Sequence, residues 1–366
     1  MASRRVNQDL PVIARFEVRH RNYLAPDGSI ARPLPAFTSD AKLLIALYRS
    51  MVFVRLFDRK AVALQRTGRL GTYAVSLGQE AVSVGIASAM REEDVLLPSY
   101  RDNGALLWRG VKPEEILLFW SGDERGNRFS SGPAHDFPFC VPVGSQAPHA
   151  AGVAYALKLR KEPRVAVCLF GDGATSKGDV YEAMNFAGVH KLPAVFIATN
   201  NQWAISVPLR LQTACETLAQ KAIAAGFAGE QVDGSDVVAM HAATEEAIAA
   251  ARDGEGPRFI EAVTYRLGDH TTSDDASRYR SVDEVQAHWK EEPIARLRAY
   301  LVSRKMWSKA DEEQLAAECH ERVEQAAERY LATAPRRPET MFDHLYAELP
   351  EAYASQRREL AGEHDA

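Results

Sequence analysis

Apolar positions along the chain follow two rhythms. Val165-Ala166-Val167-Cys168-Leu169-Phe170 and Ala194-Val195-Phe196-Ile197-Ala198-Thr199 are short, continuous and rich in β-branched or aromatic residues, which predicts strands buried on both faces. Between them, 178–189 repeats apolar residues at helical spacing, with Val180, Met184 and Ala187 on one face. Strand, helix and strand make a βαβ crossover, so the two strands run parallel and, as neighbours, end about 5 Å apart. The same patterning predicts strands at 94–98, 229–233 and 258–266 and helices at 146–160, 213–225 and 237–253. Thr38-Ser39-Asp40 offers caps for a long helix carrying Leu43, Leu47, Met51 and Val54, and another helix follows Gly78. Such alternation predicts an α/β fold with a doubly wound, mostly parallel sheet.

The ends of the chain differ from its middle. Residues 1–37 mix proline, glycine and charge (Pro26, Gly28, Pro33, Pro35) and read as an N-terminal arm, leaving 38–280 as the α/β domain. From 281 to 366 the pattern is helical to the end and reads as an extension of the same domain. Ser281-Val282-Asp283-Glu284 and Ser308-Lys309-Ala310-Asp311 fit capping boxes, and Leu315, Cys319, Val323, Ala326 and Tyr330 form an apolar stripe suited to core or subunit contact. Two stretches, 122–143 and 267–280, fit no regular element, and each holds one histidine, His135 and His270.

Composition narrows the classes. A net charge of −5 with dispersed Lys and Arg gives no nucleic-acid surface, and no apolar stretch reaches the length of a membrane span. Cys140, Cys168, Cys215 and Cys319 lack metal or redox spacing and read as reduced thiols. Arg4 and Arg5 are followed by no hydrophobic region, and Asp9 and Glu17 disfavour a transit peptide. The expectation is a cytoplasmic protein of bacterial type.

The chemistry sits at the ends of the two central strands. Gly171-Asp172-Gly173 follows the first and Asn200-Asn201 ends the second, so Asp172 and Asn201 stand at the carboxyl edge of the sheet, where open α/β folds bind ligands. Either motif alone is usually a turn, with an aspartate capping the next helix. Together, one carboxylate and one amide oxygen can share a small hard cation and leave its other positions to phosphate oxygens and water. Rival phosphate sites fail: Ser176 stands where a dinucleotide fingerprint wants Gly or Ala, the second strand ends in Asn rather than an acid, and no P-loop occurs.

Gly171-Asp172-Gly173 through Asn200-Asn201 resembles the thiamine diphosphate motif. From about Leu43 to Tyr346 the chain resembles the α subunit of the decarboxylating component of 2-oxo acid dehydrogenase complexes. The likeness includes Arg66-Thr67-Gly68-Arg69-Leu70-Gly71, Pro98-Ser99-Tyr100-Arg101-Asp102, Asn201-Gln202-Trp203-Ala204-Ile205-Ser206 and His270-Thr271-Thr272-Ser273-Asp274-Asp275. It implies the thiamin diphosphate-binding fold with helical N- and C-terminal extensions, and the cofactors thiamine diphosphate and Mg²⁺. Asp172, Asn201 and the backbone carbonyl of Trp203 match magnesium ligands. Tyr100, Arg101, Gly171, Gly173 and Ala174 match positions at the diphosphate, and Val143 one whose backbone meets the aminopyrimidine. Arg266 matches an arginine near the phosphates. His270 and His135 match the family's two histidines of this chain, with proton transfer during acyl transfer as their role and His270 also at the cofactor.

The resemblance further implies decarboxylation of a small 2-oxo acid and transfer of its acyl group to a lipoyl arm on an acyltransferase component. Only one cofactor module is present, so the glutamate that activates the cofactor would come from a β subunit in an α₂β₂ assembly. Three positions depart from animal enzymes: Ala74 replaces a substrate histidine, Thr199 a phosphate-binding arginine and Thr271 a regulatory serine. Pyruvate is the favoured substrate, because Met51-Val52-Phe53 through Arg125-Gly126-Asn127 most resembles bacterial pyruvate enzymes. The segment 272–285 looks more like branched-chain enzymes, and an acetoin-cleaving relative is a third choice. Readings from other classes are a nicotinamide-dependent oxidoreductase and a non-catalytic magnesium-phosphate binding module.

Overall fold

The computed structural model of the chain describes residues 10–362, so Arg4, Arg5 and Asp9 lie outside the described residues. Its strands are β1 (His20–Arg21), β2 (Val95–Leu97), β3 (Ala166–Gly171), β4 (Ala194–Asn200), β5 (Trp203–Ala204), β6 (Val207–Pro208), β7 (Gly229–Asp233) and β8 (Arg258–Val263). The first helices are α1 (Ala41–Arg66), α2 (Glu80–Ala89), α3 (Asn103–Trp108), α4 (Pro113–Trp120), α5 (Gln146–Arg160) and α6 (Gly178–Val189). They are followed by α7 (Leu209–Gln212), α8 (Gln220–Ala224), α9 (Val237–Arg252), α10 (Val282–Trp289), α11 (Pro293–Ser303), α12 (Lys309–Leu331) and α13 (Glu351–Leu360).

Six strands form one sheet in the order β1-β7-β8-β4-β3-β2, with every pairing parallel. Side chains along a strand alternate between faces, and the central strands are apolar on both. Val165, Val167, Leu169, Val195 and Ile197 face a core shared with α1, α2, α9 and α12, whereas Ala166, Cys168, Phe170, Phe196 and Ala198 face one shared with α5 and α6. The sheet is thus wound on both sides, as the patterning predicts.

Local chemistry sets the element ends. The Asp40 side chain accepts from the Lys42 and Leu43 N–H groups and starts α1. Ser308 and Asp311 form the expected capping box on α12, whereas at α10 the Ser281 side chain accepts from Glu284 N–H without the reciprocal bond. The α12 stripe of Leu315, Cys319, Val323, Ala326 and Tyr330 is buried, most of it in the same core as the strands.

Four expectations need correction. The 213–225 helix shrinks to α8, because the Ala219 N–H turns to the buried Glu261 carboxylate instead of a helical carbonyl. The 258–266 strand ends at Val263, opposite the last residue of β4. Helix is not continuous after 281: the stretch containing Pro335, Pro338 and Pro350 interrupts it, as residues without an N–H would. Part of the stretch read as an arm, His20–Arg21, joins the sheet edge, with Arg21 paired to Glu230 at 3.0 Å and Glu246 at 2.6 Å.

Candidate active site

β3 and β4 pair in register from Ala166↔Ala194 to Gly171↔Thr199, so the loops after them start side by side at the carboxyl edge of the sheet. A cavity of about 440 Å³ opens there, a size typical of small-molecule sites. Its walls include Tyr100, Arg101, Val143, Gly171, Asp172, Gly173, Ala174, Asn201, Trp203 and His270. One crossover and three loops therefore bring ten of the residues singled out in the sequence to a single space.

Asp172 opens the turn of 3₁₀ helix Asp172–Ser176 and is 2% exposed. Its Oδ2 is buried without a hydrogen-bond partner, and burial pushes the carboxyl up to about 6. A buried acceptor left open in this way suits an added cation or donor. Gly171 precedes it with ordinary backbone angles, and a Cβ built there meets nothing within 4 Å, so the glycine leaves open space at the wall.

The two asparagines have different tasks. Asn200 donates through Nδ2 to the buried Glu261 at 2.7 Å, a bond within the fold. Asn201 lines the cavity, donates through Nδ2 to Gln79 Oε1 at 3.0 Å and accepts at Oδ1 from the Trp203 N–H at 3.3 Å. After it the backbone bends sharply: Gln202 and Ile205 take left-handed φ values of 73° and 55°, unusual for a β-branched residue such as Ile205. The bend forms the small β5–β6 hairpin and sets Trp203 in the cavity wall.

Arg101 and His270 face each other. The Arg101 Nη2 group donates to the His270 carbonyl at 2.9 Å and lies 3.2 Å from its Nδ1, while Tyr100 stands edge-on to the imidazole. Burial, then the Arg101 and Arg266 guanidiniums, lower the His270 pKa to about 4. Nδ1 faces two donors, which assigns the proton of the neutral ring to Nε2. The 267–280 segment is held by its own bonds: the Asp274 carboxylate accepts from the His270 N–H at 2.8 Å, and Tyr73 and Thr272 exchange two bonds at 2.8 and 2.9 Å.

Two expected residues stand elsewhere. Arg266 is fully buried behind the wall, donating to the carbonyls of Trp203 at 3.1 Å and Ile205 at 2.8 Å, and burial lowers its pKa to about 10. It supports the Trp203 loop rather than lining the space. The structure does not bring His135 to the cavity: it is exposed in the irregular 122–143 stretch. Of the departing positions, Thr199 and Thr271 line the cavity, whereas Ala74 is buried away from it.

Sequence reading missed Gln79 and Trp120, both cavity-lining and each with one buried side-chain atom unpartnered; Gln146, which the family resemblance marks with Ser145 only for a possible potassium site, lines the cavity in the same way. Among the described residues, no group of three or more His, Cys, Asp or Glu could hold a metal. A cation between Asp172 and Asn201 would therefore depend on amide, carbonyl and ligand oxygens. That mixed oxygen set, with the open Asp172 oxygen, fits Mg²⁺ bound along with phosphate.

Comparison with known proteins adds two findings. A family model described as dehydrogenase E1 component matches residues 48–339. The chain is 38% identical over 332 residues to the pyruvate dehydrogenase E1 component subunit alpha of Mycoplasma genitalium, covering 91% of this chain and 92% of that protein. It is 43% identical over 318 residues to the 3-methyl-2-oxobutanoate dehydrogenase subunit alpha of Mycobacterium tuberculosis, covering 87% and 86%. With the pyruvate dehydrogenase E1 component subunit alpha of Bacillus subtilis the identity is 40%, covering 87% and 85%.

Proposed function

We propose that this chain, which belongs to the dehydrogenase E1 component family, is the thiamine diphosphate-dependent α subunit of a 2-oxo acid dehydrogenase and acts on pyruvate. The observation that carries the reading is one cavity, at the carboxyl edge of two neighbouring parallel strands, shared by Asp172 with its open oxygen and Asn201. Asp172, Asn201 and the Trp203 carbonyl would hold Mg²⁺, and Tyr100, Arg101 and the backbone N–H groups of Gly173 and Ala174 would hold the diphosphate. The open space at Gly171 admits the cofactor, the Val143 backbone would meet its aminopyrimidine, and Arg266 holds the Trp203 loop from behind. When bound, thiamine diphosphate supplies a nucleophilic carbon and an electron sink for loss of carbon dioxide from a 2-oxo acid.

The chain's own part is to bind, orient and move protons. His270 enters neutral, with its Nε2–H free to donate, because two guanidiniums crowd its Nδ1. Diphosphate charge beside Arg101 would raise its pKa back toward neutrality, into the range where imidazole exchanges protons. His270→Ala is expected to cut lipoyl acylation by about a hundredfold or more, measured in the assembled complex. Wild-type rates would remove His270 from that role. His135, exposed outside the cavity, receives no step.

The relatives are alpha subunits, which supports a β subunit as partner; the proposed assembly is α₂β₂ and would deliver acyl groups to a lipoyl acyltransferase component. Among the described residues no helix is long and apolar enough to cross a membrane, and the four cysteines form no disulfide. A branched-chain substrate is the second reading, favoured by the 43% identity to the Mycobacterium tuberculosis protein. Family membership leaves the nicotinamide reading without support. The test is co-expression with the β subunit and comparison of pyruvate, 3-methyl-2-oxobutanoate and acetoin as substrates, with thiamine diphosphate and magnesium present. Pyruvate turning over fastest supports the proposal; a preference for 3-methyl-2-oxobutanoate replaces it with the second reading.

A further inference from the structure

Gln79 is the residue before α2, 3% exposed, and its side chain reaches the cavity. Its place is fixed by Gly78, whose φ of +89° and 2.4 Å approach of a built Cβ to the Tyr265 carbonyl exclude any side chain. Gln79 Oε1 accepts from Asn201 Nδ2 at 3.0 Å, whereas Gln79 Nε2 is buried with no acceptor. The cavity wall therefore carries an unpaired donor at Gln79 and an unpaired acceptor at Asp172. Buried polar atoms are rarely left open, and open donors and acceptors on one wall (with Trp120 Nε1 and Gln146 Oε1 beside these two) suit a ligand that brings both a cation and an oxyanion.

The geometry points to Gln79 as a positioning and binding residue: its carbonyl turns the Asn201 amide oxygen toward the cation, and its Nε2–H donates to a diphosphate oxygen. An asparagine amide can rotate to exchange its oxygen and nitrogen, and a nitrogen facing a cation repels it. The bond to Gln79 Oε1 occupies the Asn201 nitrogen and opposes that rotation. The donor half follows from charge-assisted bonding, in which an amide N–H to phosphate gains more than one to water. The inference rests on the thiamine diphosphate reading and deepens it.

Two substitutions separate the halves, tested on the α–β assembly by calorimetric titration and by quenching of tryptophan fluorescence. Gln79→Ala removes acceptor and donor. It is expected to raise both the half-saturating Mg²⁺ concentration, at saturating cofactor, and the cofactor dissociation constant, at saturating Mg²⁺, by about tenfold or more. Gln79→Glu keeps the acceptor for Asn201 but turns an anion toward the diphosphate. Its Mg²⁺ requirement should stay within about threefold of wild type, while cofactor affinity falls by about tenfold or more. A purely structural role would instead lower the melting temperature and impair both titrations equally in both variants, which overturns the inference. So would wild-type binding by Gln79→Ala. Absence of cofactor binding by the wild-type assembly would overturn the reading of the site itself and this inference with it.

Discussion

Asp172→Asn is expected to abolish magnesium-dependent cofactor loading while leaving the fold intact. The carboxylate is the one charged group among the three expected metal ligands, and it is buried, so its attraction for a divalent ion is screened little. Removing one partner of a buried charge pair costs about 2–5 kcal/mol, which places the loss of affinity above about thirtyfold. Stability should move differently. In the cofactor-free protein Asp172 Oδ2 has no partner, so the carboxylate carries a desolvation cost that a neutral amide of the same shape reduces. The expected result is an unchanged or higher melting temperature without cofactor, and loss of the increase that magnesium and thiamine diphosphate give the wild type. A variant that binds the cofactor normally, or that unfolds, would contradict the assignment.

The second large effect concerns the missing half of the site. Among the described residues the carboxylates lining the cavity are Asp102 and Asp172. Asp102 already accepts from the Ser99 backbone N–H at 2.8 Å and hydroxyl at 2.6 Å, and Asp172 is assigned to the metal. Neither is free to act as the cofactor-activating glutamate that the family resemblance implies. One rim of the cavity is also apolar and bare, with Val141, Val143 and Ile205 exposed by 55%, 44% and 55%. A second chain would cover that rim and supply the acid. Rigorously purified α chain with cofactor and magnesium should therefore decarboxylate roughly 10²–10⁴-fold more slowly than after the β subunit is added, the range of one general acid–base group. Comparable turnover by the α chain alone would refute the divided site.

The central crossover was legible because its signals are local. Uninterrupted apolar runs mark β3 and β4, the Val180–Met184–Ala187 spacing marks α6, and the topology of a βαβ unit then brings Asp172 and Asn201 to one edge. What escaped depends on contacts distant in sequence. β1 has only His20 and Arg21, polar residues held at the sheet edge by the Arg21 ion pairs with Glu230 and Glu246 and by the His20–Gln231 bond, while just beyond them the Asp236 carboxylate takes the N–H groups of Tyr23 and Leu24 at 2.7 Å. Gln79 meets Asn201 across 122 positions, and nothing in Gly78-Gln79-Glu80 announces that meeting. Arg266 and His135 show the converse. Both match a motif by position, yet packing places one behind the wall and leaves the other in solvent.

The pairing of Asp172 with Asn201 around one divalent ion is tested most directly by a crystal structure of the α–β assembly grown with thiamine diphosphate and Mn²⁺ in place of Mg²⁺, reading the metal from its anomalous scattering. The account predicts a single peak about 2 Å from an Asp172 carboxylate oxygen and from Asn201 Oδ1, bridged to the diphosphate. A diphosphate held with the metal peak elsewhere, or with either side chain turned away from it, would contradict it.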